Sequence, residues 1–375
     1  MYPSVYKLDI NSIIKEKPCI IFGAGLNALR LLSDLITKGF KKNIICIVDN
    51  DKNKWNQKLF EIPIVSPENL IKYDYETNII ITPMKDCLKI TYQLKNIGFN
   101  NLIFLDKDSG NAVSYALYQQ SQCVSNRTKL EQIIAENEEK INSARKILSD
   151  KKSIDVFNAK IQSNFYGDHC KLEAMREPNQ YYPEDIISLK TNEVYIDCGV
   201  FDGNTIIDFV NRTGGQYDFI IGFEPDEVMF QILKIQTLNY ARCTIYNLGL
   251  HQGENEFYFS SKNDGSSKIV PEQTMNKIKT VSLDECLFDK YHPSFIKMDI
   301  EGAEYSALMG MKKIITRDEP TLAVSVYHKN NDIFEIPLLI KKLNPKYKIY
   351  IRHHYIISET VCYAICDNKG VNIAL

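Results

Sequence analysis

Acids and glycines stand together where an apolar run breaks into a turn, in VYIDCGVFDGNT (Val194–Thr205). Gly199 and Gly203 allow a tight turn and close approach of backbone to ligand at the carboxyl end of a strand. Glu224 closes the next apolar run, where a carboxylate accepts hydrogen bonds from both hydroxyls of a ribose. Asp197 and Asp202 take the place of the bare amides that a pyrophosphate cradle needs. Such a turn suits a ligand with an amino group or positive charge and no phosphates. S-adenosylmethionine has these features, with its ribose for Glu224 and its aminoacyl-sulfonium part for the Asp197/Gly199 side. The plain alternative is an α/β turn with solvated acids.

A second set of acids follows in FIKMDIEGAEYSAL (Phe295–Leu308). Asp299 is expected at the carboxyl edge of the sheet, where α/β folds place ligands. Glu301 and Glu304 are expected in the first turn of a helix, whose dipole favours negative charge; for Glu304 this capping role competes with a functional one. Tyr327-His328-Lys329 follows the next strand and Arg352-His353-His354 the one after, and both sets are expected on the same edge, facing the 197–203 turn. A lone histidine is more often structural than catalytic, but three of only six histidines fall at these strand ends. A third glycine turn, CIIFGAGLNA (Cys19–Ala28), carries Gly23 and Gly25, with Asp49 ending the following strand. G-x-G-x-x-A with an acid is a weak dinucleotide fingerprint by itself.

The elements that must position these groups alternate. Strand-like runs at 18–22, 43–49, 78–82 and 101–105, with helical periodicity between them, predict a small parallel sheet over residues 1–108. A second α/β pattern fills 190–375 and ends in an antiparallel pair at 348–351 and 361–365. Residues 109–189 read as a helical connector, with Leu130, Ile134, Ile141 and Leu148, then Ile154, Phe157, Ile161 and Phe165, on an apolar face; an oligomerisation helix pair is the alternative. The chain has 375 residues, 44% hydrophobic and 25% charged, with 45 basic against 47 acidic side chains. A formal net charge of -2 argues against a dedicated nucleic-acid binder. Ten scattered cysteines form no C-x-x-C pair, which excludes a zinc ribbon or a disulfide scaffold. No run is long and apolar enough to span a bilayer. The start, MYPSVYKLDI, has no basic region followed by an apolar core, so a cytoplasmic protein without a secretory leader is expected.

The blocks VYIDCGVFDGNT, GFEPD, TVSLDECL, FIKMDIEGAEYSAL, SVYHK and IRHH, in this order, resemble the FkbM family of S-adenosylmethionine-dependent methyltransferases over roughly residues 180–367. The resemblance implies the class I methyltransferase fold, a seven-stranded sheet with its last strand antiparallel. It also implies O-methylation of a sugar or related hydroxyl in a glycan or small-molecule acceptor. By position, Asp197, Gly199, Phe201, Asp202, Gly203 and Glu224 would bind the cofactor, with Asn247 and Gly249 near the adenine and Asp299 and Glu301 beside the transferring methyl. A sugar hydroxyl is a poor nucleophile at neutral pH, and a positioned base typically contributes about 10²–10⁴-fold. His328 and Asp299 are the candidates. A Mg²⁺ on Asp299 and Glu301 ranks second, since no third ligand is identifiable. Ser266-Ser267 is a polar loop that reads first as an ordinary hairpin and second as a substrate contact.

The N-terminal segment resembles small Rossmann-like domains of sugar-nucleotide-modifying enzymes. Three readings stay open for it: a nucleotide or nucleotide-sugar site at Gly23, Gly25 and Asp49, a scaffold that makes homo-oligomers, and an NAD(P)-dependent oxidoreductase half. The last lacks a Tyr-x-x-x-Lys pair at Tyr73 or Tyr75. For the whole chain, the alternatives to a methyltransferase are therefore a nucleotide-sugar-modifying NAD(P) enzyme and a non-catalytic assembly protein.

Overall fold

The computed structural model describes residues 10–83, 85–105, 107–260, 268–270 and 276–366. Residues 1–9, on which the reading of the leader rests, and Ser266-Ser267 lie outside them. The chain divides into two compact units. One runs to Asn126 and takes in Tyr166–Ala174; the other joins Arg127–Phe165 to everything from Met175 onward. The helical segment 109–189 is thus shared out between the units: the helix Lys107–Ser125 belongs to the first, and Arg127–Glu136, Glu138–Lys146 and all but the last residue of Lys151–Tyr166 belong to the second.

In the first unit, β1 (Cys19–Phe22), β2 (Ile44–Val48), β3 (Lys58–Leu59), β4 (Ile62–Val65), β5 (Asn78–Ile81) and β6 (Leu102–Phe104) form a sheet in the order β3-β4-β2-β1-β5-β6. All neighbours are parallel except the β3–β4 hairpin. β1 is buried on both faces, and alternate residues serve opposite cores. Cys19 and Ile21 pack with Ala28, Leu32 and Leu35 of the helix Leu26–Thr37. Ile20 and Phe22 pack with Ile90 and Leu94 of the helix Cys87–Ile97. The order reverses at β1, so its glycine turn opens at a topological switch point.

In the second unit, β7 (Val194–Cys198), β8 (Phe219–Phe223), β9 (Cys243–Tyr246), β14 (Phe295–Met298), β15 (Thr321–Ser325), β16 (Lys348–His353) and β17 (Thr360–Ile365) make a seven-stranded sheet, ordered β16-β17-β15-β14-β7-β8-β9. Only β17 runs antiparallel to its neighbours. This is the expected class I methyltransferase sheet, with its switch point between β7 and β14. The pattern reading did not anticipate the second sheet inserted between β9 and β14, made of β10 (Gly249–Leu250), β11 (Asn255–Ser260), β12 (Lys268–Val270) and β13 (Asn276–Val281) in the order β10-β13-β11-β12. A capping box at Ser282 and Glu285 ends that insertion and starts the helix Leu283–Leu287.

Arg352, His353 and His354 do not face the 197–203 turn as expected. β14, β15 and β17 stand between β7 and β16, so the end of β16 is at the far edge of the sheet. There the preceding helices cover it. Leu148 and Arg176 form isolated bridges to Ile349 and His353. The Arg352 guanidinium is buried and donates to Asp150 at 2.6 Å, Asp185 at 2.8 Å and Ser153 Oγ at 2.9 Å. Burial holds the His354 imidazole down at about 4, and its Nε2 lies 2.8 Å from the Tyr363 hydroxyl. These are packing roles. Removing one partner of a buried ion pair strands the others. Arg352→Met is therefore expected to lose about 2–4 kcal/mol in denaturant unfolding, discounted because both aspartates keep some solvent. A loss under about 1 kcal/mol would mean that Arg352 does not clamp the helices to the sheet.

Candidate active site

The ends of β7 and β14 lie side by side, with Cys198 in register with Met298. Asp299 N–H donates to the Cys198 carbonyl at 2.9 Å. Gly199 follows with φ +87, and a Cβ there would stand 2.0 Å from the Asp299 carbonyl oxygen. Only glycine lets the two loops come this close. Lys297, on β14, points under the same junction. Its ammonium lies 3.0 Å from Asp197 Oδ1 and donates to the Gly199 carbonyl at 2.6 Å. Lys297 and Asp197 are both buried. Burial alone would lower the Lys297 pKa, but the Asp197 and Asp299 charges outweigh it and raise it.

The structure places Asp197 as a brace. Its carboxylate faces Lys297 and also accepts from Thr205 Oγ1 and, at 3.3 Å, from the Tyr195 hydroxyl. Asp202 caps the turn, accepting from Asn204 N–H at 3.1 Å. Gly203 has φ +83 and precedes the helix Asn204–Arg212. Phe201 stands in the turn at φ +51 and is 43% exposed, an aromatic held in a conformation unusual for its type. Glu224, at the end of β8, is buried; Phe201 N–H donates to one of its oxygens at 2.9 Å and Asp226 N–H to the other at 2.8 Å. Each carboxylate oxygen therefore keeps an acceptor position for a further donor, which is what a ribose diol requires. Burial raises the Glu224 pKa. Asn247 donates to the Glu224 carbonyl at 3.3 Å, which ties the end of β9 to this loop, and Gly249 opens β10. The turn and the diol acceptor fit S-adenosylmethionine.

On the β14 side, Asp299 gathers donors from three segments. The Tyr181 hydroxyl donates to it at 2.6 Å, the Tyr327 hydroxyl at 3.2 Å, and His328 Nε2 lies 3.4 Å away. Burial works against its charge, but His328 and Lys297, with the two phenols, hold the carboxyl below its ordinary pKa. Glu301 is not in a helix as expected: Glu301 and Gly302 take positive φ in a turn, and the helix begins at Glu304. Glu304 is fully buried, accepts from Ile300 N–H at 2.9 Å and faces His328 Nδ1 at 2.9 Å. Glu301 lies 3.6 Å from Nε2 of the same ring. Burial would strip the proton from His328, yet these carboxylates, Glu304 foremost, push its pKa up to about 9. At neutral pH the imidazole is a cation.

Glu359 was not legible in the sequence as a site residue. It accepts from Gln180 Nε2, and burial, with the charge of Asp299 next, pushes its carboxyl up to about 7. Tyr181 came from the segment read as a connector, and Glu304 was read as an even choice between cap and function. No motif spacing would have joined them. Asp299, Glu304 and His328 also bring ligand atoms within 4.8 Å of one another. One of the three is nitrogen, which magnesium takes poorly, and an imidazolium satisfies the same carboxylates without a metal.

Residues 197–347 match the methyltransferase FkbM domain family, and residues 15–103 match the C2185-like N-terminal family. The methyltransferase FkbM from Methylobacillus flagellatus KT has a similar solved structure: TM-score 0.58 at 20% identity, over 95% of this chain and 92% of that one. Its likeness is one of fold. Aeropyrum pernix fibrillarin, solved with natively bound S-adenosyl-L-methionine, covers 48% of this chain and 71% of its own at TM-score 0.31 and 9% identity. An rRNA methylase from Streptococcus thermophilus covers 48% and 90% at TM-score 0.31 and 15% identity. No curated protein matches the chain. Among the described residues, no helix is long and apolar enough to cross a membrane.

The proton on His328 has a testable consequence. Folding raises this pKa from 6.5 to about 9, so its stabilising contribution is complete below pH 6.5 and disappears as pH rises through 9. The stability difference between wild type and His328→Gln should therefore shrink by about 3 kcal/mol from pH 6 to pH 9.5 in denaturant melts. A difference that stays flat would mean that the ring is neutral when folded. Residues 197–347 of the second unit thus match the methyltransferase FkbM domain family, and the chain is an S-adenosylmethionine-dependent methyltransferase.

Proposed function

We propose that this chain methylates a hydroxyl group of a sugar or glycan precursor. The observation that carries the reading is Asp299, an ionised and partly exposed carboxylate beside the Gly199 turn. It is oriented by two phenols and an imidazolium. When bound, S-adenosylmethionine supplies an electrophilic methyl on a sulfonium whose departure as a neutral thioether needs no oxyanion stabilisation. The protein's part is then alignment and exclusion of water. Asp197 and Lys297 hold the cofactor turn in shape, and Glu224 supplies the acceptor for the ribose.

Asp299 accepts the hydrogen bond of the substrate hydroxyl and so fixes the direction of its lone pair. The hydroxyl grows acidic as its ether bond forms, so a carboxylate held at low pKa suffices for a proton lost late. We assign that role to Asp299 rather than to His328, because His328 already carries a proton. His328 keeps Asp299 ionised, and Glu301 and Glu304 keep His328 charged. Glu359, pushed up to about 7 by burial and next by the Asp299 charge, is a second carboxyl within reach of that charge. A hydroxyl-rich acceptor suits a sheet edge of phenols and carboxylates, which hydrogen-bond to polyols. The chain has no excess of basic side chains for a polyanionic acceptor.

Two measurements separate the parts of this reading. In calorimetric titration, Glu224→Ala should weaken S-adenosylmethionine binding by at least tenfold, while Asp299→Asn should leave it within about threefold and cut turnover on a sugar acceptor about 10²–10⁴-fold. Unchanged turnover in a folded Asp299→Asn chain would remove Asp299 as the base. Activity is also expected to survive exhaustive chelation. If EDTA abolished it and Mg²⁺ restored it, Asp299 and Glu301 would hold a metal instead.

A further inference from the structure

The glycine turn of the first unit opens on a cleft of about 400 Å³, within the size range of small-molecule pockets. Nothing in the methyl-transfer reading uses it. Its wall brings together Gly25, three lysines (Lys54, Lys85 and Lys89) and two acids, Asp49 and Asp86.

These groups divide into those already engaged and those still open to a ligand. Asp49 is engaged. Ala24 N–H donates to Oδ2 at 2.6 Å, Lys54 pairs with the same oxygen at 3.0 Å, and Asp51 N–H donates to Oδ1 at 2.8 Å. Burial opposes its charge, but these bonds outweigh that and hold the carboxyl below its ordinary pKa. Asp49 therefore braces the glycine turn instead of waiting for a ribose. Lys85 and Lys89 form no ion pair among the described residues. The helix Leu26–Thr37 starts on the cleft with Gly25 as its N-cap and no side-chain cap. The first amides of a helix lack intrahelical partners and attract anions.

Gly25 adds an independent observation. Its φ is −105, open to any residue, and a Cβ built on it meets nothing within 4 Å. Gly23 differs: its φ is +99 and a Cβ would strike Thr82 Oγ1 at 2.6 Å. The protein's own packing requires glycine at 23 but not at 25. At 25 the missing side chain leaves room in the cleft mouth for something other than protein. Beside it, Leu26 is 62% exposed and Pro83 lines the wall, which gives the cleft an apolar side opposite the lysines.

We propose that this cleft binds a phosphorylated small molecule of nucleotide size, with its phosphate at the start of the helix Leu26–Thr37 between Lys85 and Lys89 and its organic part against Leu26 and Pro83. A bare diphosphate would leave much of the volume and the apolar side unfilled. This proposal is independent of the methyl-transfer reading, because it concerns the first unit alone.

The test is calorimetric titration of the full chain with UDP, ADP, GDP, CDP and inorganic pyrophosphate. At least one nucleoside diphosphate should bind, at least tenfold tighter than pyrophosphate. Lys85→Ala with Lys89→Ala should weaken that binding at least tenfold, and Gly25→Val should abolish it. Both variants should keep the wild-type melting temperature and S-adenosylmethionine affinity, which shows that the fold is intact. No binding of any nucleotide would overturn the proposal, as would binding that persists in Gly25→Val. Pyrophosphate binding as tight as any nucleotide would overturn the assignment of ligand size.

Discussion

A single ammonium group, that of Lys297, sits under the junction of β7 and β14, and the charges at that junction are arranged around it. It neutralises Asp197, takes up the carbonyl of Gly199 and contributes to keeping Asp299 ionised. A buried lysine without such partners would lose its proton. Here the surrounding acids keep it charged, and in return the lysine allows two carboxylates to stand near one another at low exposure. The cofactor turn and the reacting edge are therefore coupled electrostatically. A change at Asp197 reaches Asp299 through Lys297 without any contact between the two carboxylates being needed.

His328 completes the same arrangement from the other side. Three carboxylates with one imidazole would be unstable if all were ionised and the ring neutral, so the proton rests on the ring. The four groups take distinct positions: Glu304 faces Nδ1 of the cation, Glu301 stands at its outer side, and Asp299 is left as the partly exposed anion. Tyr181 and Tyr327 then fix its orientation. Their own hydroxyls are held protonated by burial and by the Asp299 charge, so they remain donors.

The two units use one design with opposite signs. Each has a parallel sheet whose strand order reverses at a glycine turn. In the second unit Asp197 braces the turn against Lys297, and Asp202 and Glu224 line it, which suits a cationic cofactor with a diol. In the first, the acid is spent on bracing the turn, and lysines line the cleft. The same backbone device is thus given different ligand chemistry by a few side chains at the strand ends.

The sequence by itself determined the main strands and the glycine turns, because a continuous apolar run and a glycine at its end are local features; the class I methyltransferase sheet was implied by the resemblance of the sequence blocks to the FkbM family. Asp299, Glu224 and Gly199 could be picked out for the same reason: their positions relative to strand ends follow from the pattern. The small sheet β10–β13 escaped notice, since its strands are short and only half apolar. The placement of Arg352, His353 and His354 escaped it as well, because strand order is set by pairing between distant segments and not by position along the chain. The tertiary structure alone decided which groups carry protons. Glu304 meets His328 across two helices and a strand, and from segments far away in sequence Tyr181 bonds to Asp299 while Glu359 feels its charge. A pKa is fixed by burial and by charges through space, and neither can be read from spacing along a chain.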